Sequence, residues 1–112
     1  MSQYSDNSHC RFWVSASMAG AIVQSYNVAS VTDGGAGLVT VVIATDFQDD
    51  DYVVLSNMEN LDATIDAIAD GMYTMVALGT QQVGQVQIIN KIDDGTAAAD
   101  GTRWHVAGFG NQ

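Results

Sequence analysis

Apolar and polar residues run in short blocks along this chain, separated by breaks rich in glycine and aspartate. Residues 11–17 alternate partly, so Phe12 and Val14 share one face of a strand and Trp13 takes the other. Met18-Ala19-Gly20 reads as a turn, and residues 21–32 read as a strand kinked near Asn27. Thr32-Asp33-Gly34-Gly35-Ala36-Gly37 ends that run, and a second apolar run, Leu38 to Ala44, follows at once. This is a hairpin signal, because Asp and Gly supply the left-handed backbone angles of a tight reversal. Residues 38–44 are apolar on both faces, which places them at the centre of a sandwich or beneath a neighbouring subunit. Residues 46–51 hold four Asp with Phe47 and Gln48 and read as a solvent-facing loop; residues 52–56 return to strand. Two more strands, 72–79 and 83–90, flank Thr80-Gln81-Gln82, with Val83, Val86, Ile88 and Ile89 expected to face mostly inward. Residues 93–101 read as a flexible loop and 102–109 as the last strand.

One segment breaks the two-residue period. Leu61, Ile65 and Ile68 fall at helical spacing, Asn60 can cap the start, and Gly71 sits where a C-terminal glycine belongs. The pattern predicts a short helix over 61–70. The opening residues are polar and aperiodic. Residues 1–11 are therefore expected to be a flexible arm, ordered only where something holds it, and 12–112 a single domain. The fold class expected is all-β: an antiparallel, jelly-roll-like β-sandwich with a polar N-terminal arm.

Composition strengthens the β reading. The acids are twelve Asp and one Glu, and Asp favours turns and caps where Glu favours helices. Eleven glycines and several Val-, Ile- and Thr-rich runs agree with strands joined by tight turns. A chain of 112 residues makes one domain, and its 47% apolar content supplies one modest core. No run approaches the ~20 apolar residues of a membrane span. The polar start does not read as a signal peptide, so synthesis and retention in a cytoplasm are expected before the final location is reached.

Charge excludes more than it suggests. Net charge is −10, and Arg11, Lys91 and Arg103 are the only Lys and Arg residues. Three separated cations cannot build a phosphate-binding patch, so nucleic acid is excluded as a partner, and anionic membranes are disfavoured. Cys10 is the single cysteine, so no intramolecular disulfide forms; beside His9 it reads as a spare thiol in the arm. The two histidines, His9 and His105, sit at opposite ends of the chain, and no G-x-S-x-G, H-E-x-x-H or phosphate-cradling glycine loop occurs. No enzymatic activity and no cofactor are expected. Asp49-Asp50-Asp51 and Asp93-Asp94 with Asp100 offer hard oxygen ligands for Ca²⁺, but without EF-hand spacing, and they read first as solvated loop acids. Met58, Met72 and Met75 are expected as core fillers. Trp13 and Trp104 lie inside strand runs; core or subunit packing suits them better than a sugar-binding groove.

A resemblance covers much of the chain. Phe12-Trp13-Val14 followed by Gly20, the run Ser25-Tyr26-Asn27-Val28 to Thr32-Asp33, Phe47 to Val54, and the ending Trp104-His105-Val106-Ala107-Gly108-Phe109-Gly110 together resemble a small all-β module of tailed-bacteriophage virion proteins. That module typically sits at the tip of a tail fibre. The resemblance spans about residues 12–110 but not 57–82. It implies a β-sandwich knob, usually a homotrimer, without catalytic residues, and it implies strand and loop rather than helix at 61–70.

Two functions are compatible with these readings. The first is a homotrimeric capsid decoration (cement) protein that braces neighbouring capsomers. The short chain, the polar arm and the missing fibre shaft favour it, with residues 1–11 touching the capsid. The second is a trimeric tail-fibre knob that adheres to a host surface glycan or protein through the loops at 46–51 and 93–101 or the strand faces beside them. Expected partners are the chain itself, phage capsid or tail proteins and, in the second case, the host surface. Either role places the protein on the virion surface after assembly in the host cytoplasm. The residues expected to make partner or trimer contacts are Tyr4, Arg11, Trp13, Tyr26, Arg103 and Trp104.

Overall fold

Eight β-strands make up the regular structure of the computed structural model, which describes residues 9–17, 19–35, 37–59, 72–92 and 103–112. They are β1 (Cys10–Ser17), β2 (Ile22–Tyr26), β3 (Val28–Asp33), β4 (Leu38–Ile43), β5 (Val53–Glu59), β6 (Met72–Val76), β7 (Gln85–Ile92) and β8 (Arg103–Phe109). Every pairing is antiparallel. One sheet has the order β2-β1-β8-β5 and the other β3-β4-β7-β6, so the fold is a four-on-four β-sandwich. The segments 61–70 and 93–101, Tyr4 and the rest of residues 1–8 lie outside the described residues.

The hairpin expected at 32–38 joins β3 to β4, with Asp33 opposite Val39. Gly35 and Gly37 take φ of 115° and 70°, a region open to glycine at little cost, and the Asp33 carboxylate accepts the Gly35 N–H at 3.0 Å. The kink expected at Asn27 is a change of sheet. Asn27 has φ 58°, and the chain leaves the first sheet at Tyr26 and enters the second at Val28. Asparagine tolerates this left-handed angle better than other side-chain-bearing residues. Its side chain fixes the crossing: Nδ2 donates to the Arg11 carbonyl at 2.8 Å and Oδ1 accepts the Thr45 N–H at 3.1 Å.

The core lies between the sheets. Phe12, Val14, Ala16, Trp104 and Val106 face inward from the first sheet, and Val39, Val41, Ile43, Val86 and Ile88 from the second. β4 is a central strand, with Val39, Val41 and Ile43 buried and Leu38, Thr40 and Val42 half-buried on the outer face. Gly108 leaves room for the Phe12 ring: the two residues pair across β1 and β8, and a Cβ at position 108 would overlap that ring. At the far side of the sandwich a 2.7 Å hydrogen bond between the Ser56 and Thr74 hydroxyls joins β5 to β6.

Four expectations need correction. The arm ends before residue 10: the strand expected at 11–17 reaches back to Cys10, because β8 offers it a partner, with Cys10 opposite Phe109 and Arg11 Nε donating to the Gly110 carbonyl at 3.0 Å. The loop at 46–51 is solvent-facing only in part. Phe47 is buried, stacked on Tyr52 at 3.9 Å between ring centroids and edge-on to Phe12 at 6.1 Å. In β7 the inward residues are Val86, Ile88 and Asn90, since strand alternation turns Ile89 outward, and Val83 precedes the strand and is exposed. Met75 pairs with Ile89 on the outer face and is exposed, so it does not fill the core.

Candidate binding face

The outer face of the first sheet is built by register. Trp13 pairs with Tyr26 on β2 and with Ala107 on β8, and Ala107 pairs with Leu55 on β5. Ladder partners share a face, so Tyr26, Trp13, Ala107 and Leu55 form one row across four strands. The next row is polar throughout: Gln24 opposite Ser15, Ser15 opposite His105, His105 opposite Asn57. One step further Ser17 pairs with Arg103. Adjacent strands lie ~4.8 Å apart and residues of one face ~6.7 Å apart along a strand, so the two rows sit side by side, each about 14 Å long.

Side-chain size shapes this face. Ala107 is small and half-buried, while Trp13 on one side and Leu55 on the other stand 37% and 58% exposed. The result is an open groove of about 600 Å³, with Trp13, Ser15, Gln24, Leu55, Asn57, His105 and Ala107 among its lining residues. No Asp, Glu, Lys or Arg lines it. Ser15, His105 and Asn57 stand in register on this face. β1 and β8 are each paired on both sides, so the ladders occupy their backbone N–H groups.

The residues expected to contact partners are only partly gathered here. Trp13 and Tyr26 are neighbours on this face, and Arg103 is exposed one row beyond the polar residues. Arg11 is half-buried and held against the C-terminal strand. Trp104 is 1% exposed and faces the core, opposite Ala16 and Met58. Tyr4 lies outside the described residues. Gln24, Ser15, His105, Asn57 and Leu55 complete the groove and are not singled out by sequence. Their alternation on strands is readable, but the adjacency of those strands is not.

Among the described residues no group of three His, Cys, Asp or Glu converges on a point where a metal could sit. Asp49 Oδ1 accepts the Asp51 N–H at 3.0 Å, a local turn bond. Tyr52 donates to the Gln82 carbonyl at 2.6 Å; burial, and secondarily the nearby Asp50 carboxylate, push its hydroxyl from 10.0 up to about 12. The Cys10 thiol donates to the Phe12 carbonyl. No family model, no characterised protein and no solved structure matches this chain.

Proposed function

We propose that the protein is a non-enzymatic, homotrimeric surface component of a tailed-phage virion, a capsid decoration protein in the first instance. The observation that carries the assembly part is the state of β2. It is the edge strand of its sheet, all five residues are exposed, and none is charged. Ile22, Val23 and Tyr26 are 41%, 59% and 55% exposed. An edge strand without a charged residue, with three exposed large apolar side chains and no further strand paired to it among the described residues, is what monomeric β proteins avoid and what subunit contacts cover. A three-fold ring joins two different patches, and the opposite edge of the same sheet offers exposed Val53 on β5. The virion part rests on the resemblance of the Ser25–Asp33 and Phe47–Val54 segments to phage modules.

A second reading, a receptor-binding knob on a tail fibre, is favoured by a different observation: the groove beside Trp13, whose mixed apolar and polar lining suits recognition. Two measurements test these readings. Light scattering of the purified chain should give three times the chain mass, and a monomer at working concentration would overturn the trimer. Cryo-electron microscopy of the virion that carries the protein should show it on the capsid lattice. Density at a fibre tip would establish the knob instead, and density in neither place would overturn the virion assignment.

A further inference from the structure

We propose that the groove between Trp13 and Leu55 is a binding site for a neutral carbohydrate, one or two sugar units of a longer glycan. This deepens the knob reading and rests on it for biological meaning.

Three properties select this ligand class. First, the groove is amphipathic in two parallel rows. A sugar ring has an apolar C–H face and a rim of hydroxyls; it needs an aromatic or aliphatic wall and, beside it, groups that both donate and accept hydrogen bonds. Trp13 and Leu55 supply the wall over the Ala107 floor, and Gln24, Ser15, His105 and Asn57 supply the adjoining polar row. Each of those four side chains carries both donor and acceptor capacity, which matches hydroxyls. Second, the charge is right for a neutral ligand. No Asp, Glu, Lys or Arg lines the groove, and the whole chain carries −10, so a polyanion is repelled while an uncharged polyol is not. Third, size and rigidity fit. About 600 Å³ falls within the usual range of ligand sites, and the lining side chains are mounted on ladder-paired strands rather than loops. The opening is broad, which suits an internal segment of a chain glycan better than an enclosed monosaccharide.

A second copy of this chain fits less well. A self-contact across the groove would have to pair the polar row with good geometry or leave desolvated amides and an imidazole without partners. The β2 edge, lacking any charged group, makes the better subunit contact, because edge pairing uses the backbone rim of the strand and leaves open the sheet face on which Gln24, Ser15, His105 and Asn57 stand.

The test uses the intact protein and a printed array of neutral glycans: glucans, mannans, galactans and N-acetylhexosamine oligomers. The best binder is then titrated into ¹⁵N-labelled protein. The expected result is binding of at least one neutral series, with shifts at the Trp13 indole and the amides of Ser15, Gln24, Asn57 and His105, while the Trp104 indole in the core stays still. Trp13→Ala and Asn57→Ala should each lower affinity tenfold or more with the amide spectrum otherwise native. His105→Gln, which keeps a donor and an acceptor, should retain more affinity than His105→Ala. Binding to no neutral glycan, shifts that map elsewhere, or full affinity in Trp13→Ala would overturn the proposal. So would loss of the trimer in Trp13→Ala, which would make the groove a subunit contact. A monomeric wild-type protein that still binds glycan through these residues would sink the trimer reading and leave the carbohydrate site standing, so the two failures are distinguishable.

Discussion

The aromatic cluster at the loop end of the sandwich shows how single residues decide this structure. Phe47 sits in a loop of aspartates yet is buried, because Tyr52 stacks on it and Phe12 meets its edge. Tyr52 does more than stack. Its hydroxyl ties this loop to the Gln82 carbonyl at 2.6 Å and the Gln85 carbonyl at 3.2 Å. Tyr52→Phe keeps the stack and removes these bonds, leaving each carbonyl only the backbone N–H it accepts between Gln82 and Gln85, so chemical denaturation should show a loss of about 0.5–1.5 kcal/mol. The same group gives a pH signature. Its folded value of about 12 lies above its ordinary 10.0, so the folded state favours the neutral phenol. That contribution is fully present below pH 10 and is lost as pH rises through about 12. The stability difference between wild type and Tyr52→Phe should therefore shrink over that window, as followed by denaturation midpoints at fixed salt. Gly108 sets a different limit. Its missing Cβ is the space the Phe12 ring occupies, so Gly108→Ala must displace that ring and should cost about 1–3 kcal/mol. A melt unchanged by this substitution would mean that the Phe12 ring packs elsewhere.

At the scale of elements, the decisive place is the crossing at Asn27. Residues 21–32 read as one kinked strand because the apolar pattern runs on across position 27. They hold two strands in different sheets, since a single left-handed residue redirects the chain. Asn27→Ala retains no side-chain bonds to Arg11 or Thr45 and strains the backbone at φ 58°. Asn27→Gly loses the same bonds but relieves the strain. The expected order of stability is wild type, then Gly, then Ala, with the alanine variant down by about 2–3 kcal/mol in thermal or chemical melts. Equal costs for the two would show that the backbone angle contributes nothing. What sequence makes legible follows from what is local. The hairpin at 33–38 is readable because its turn chemistry is contiguous, and the two faces of β1 are readable because period two places Phe12 and Val14 opposite Trp13. The burial of Phe47 is not, because beside the nearby Tyr52 it depends on Phe12, brought from a distant strand. The groove is half legible in the same sense. Trp13 and Tyr26 stand out as aromatics in strands, but the register that sets Ser15 beside His105, and His105 beside Asn57, is a property of non-local pairing.

For the whole molecule the proposed trimer raises the question of how copies of an acidic protein would associate. Each protomer carries −10, so assembly works against long-range repulsion, and apolar contact must supply the attraction. Two consequences follow for an edge-mediated trimer. Raising ionic strength screens the repulsion and should tighten the trimer, seen as a lower dissociation constant in sedimentation equilibrium. Val23→Lys gives the sharper test. Val23 is 59% exposed on β2, so the change should leave protomer stability within about 0.5 kcal/mol. Lysine also lowers the net negative charge of each copy, which by electrostatics alone would favour association. If the β2 edge is the subunit contact, the buried ammonium outweighs that gain and the trimer dissociates to folded monomers, because a lysine on an edge strand blocks strand-to-strand pairing. The two effects have opposite signs, so the direction of the change decides between them. Dissociation assigns the contact to the edge. A trimer that stays intact or tightens shows that the copies meet elsewhere.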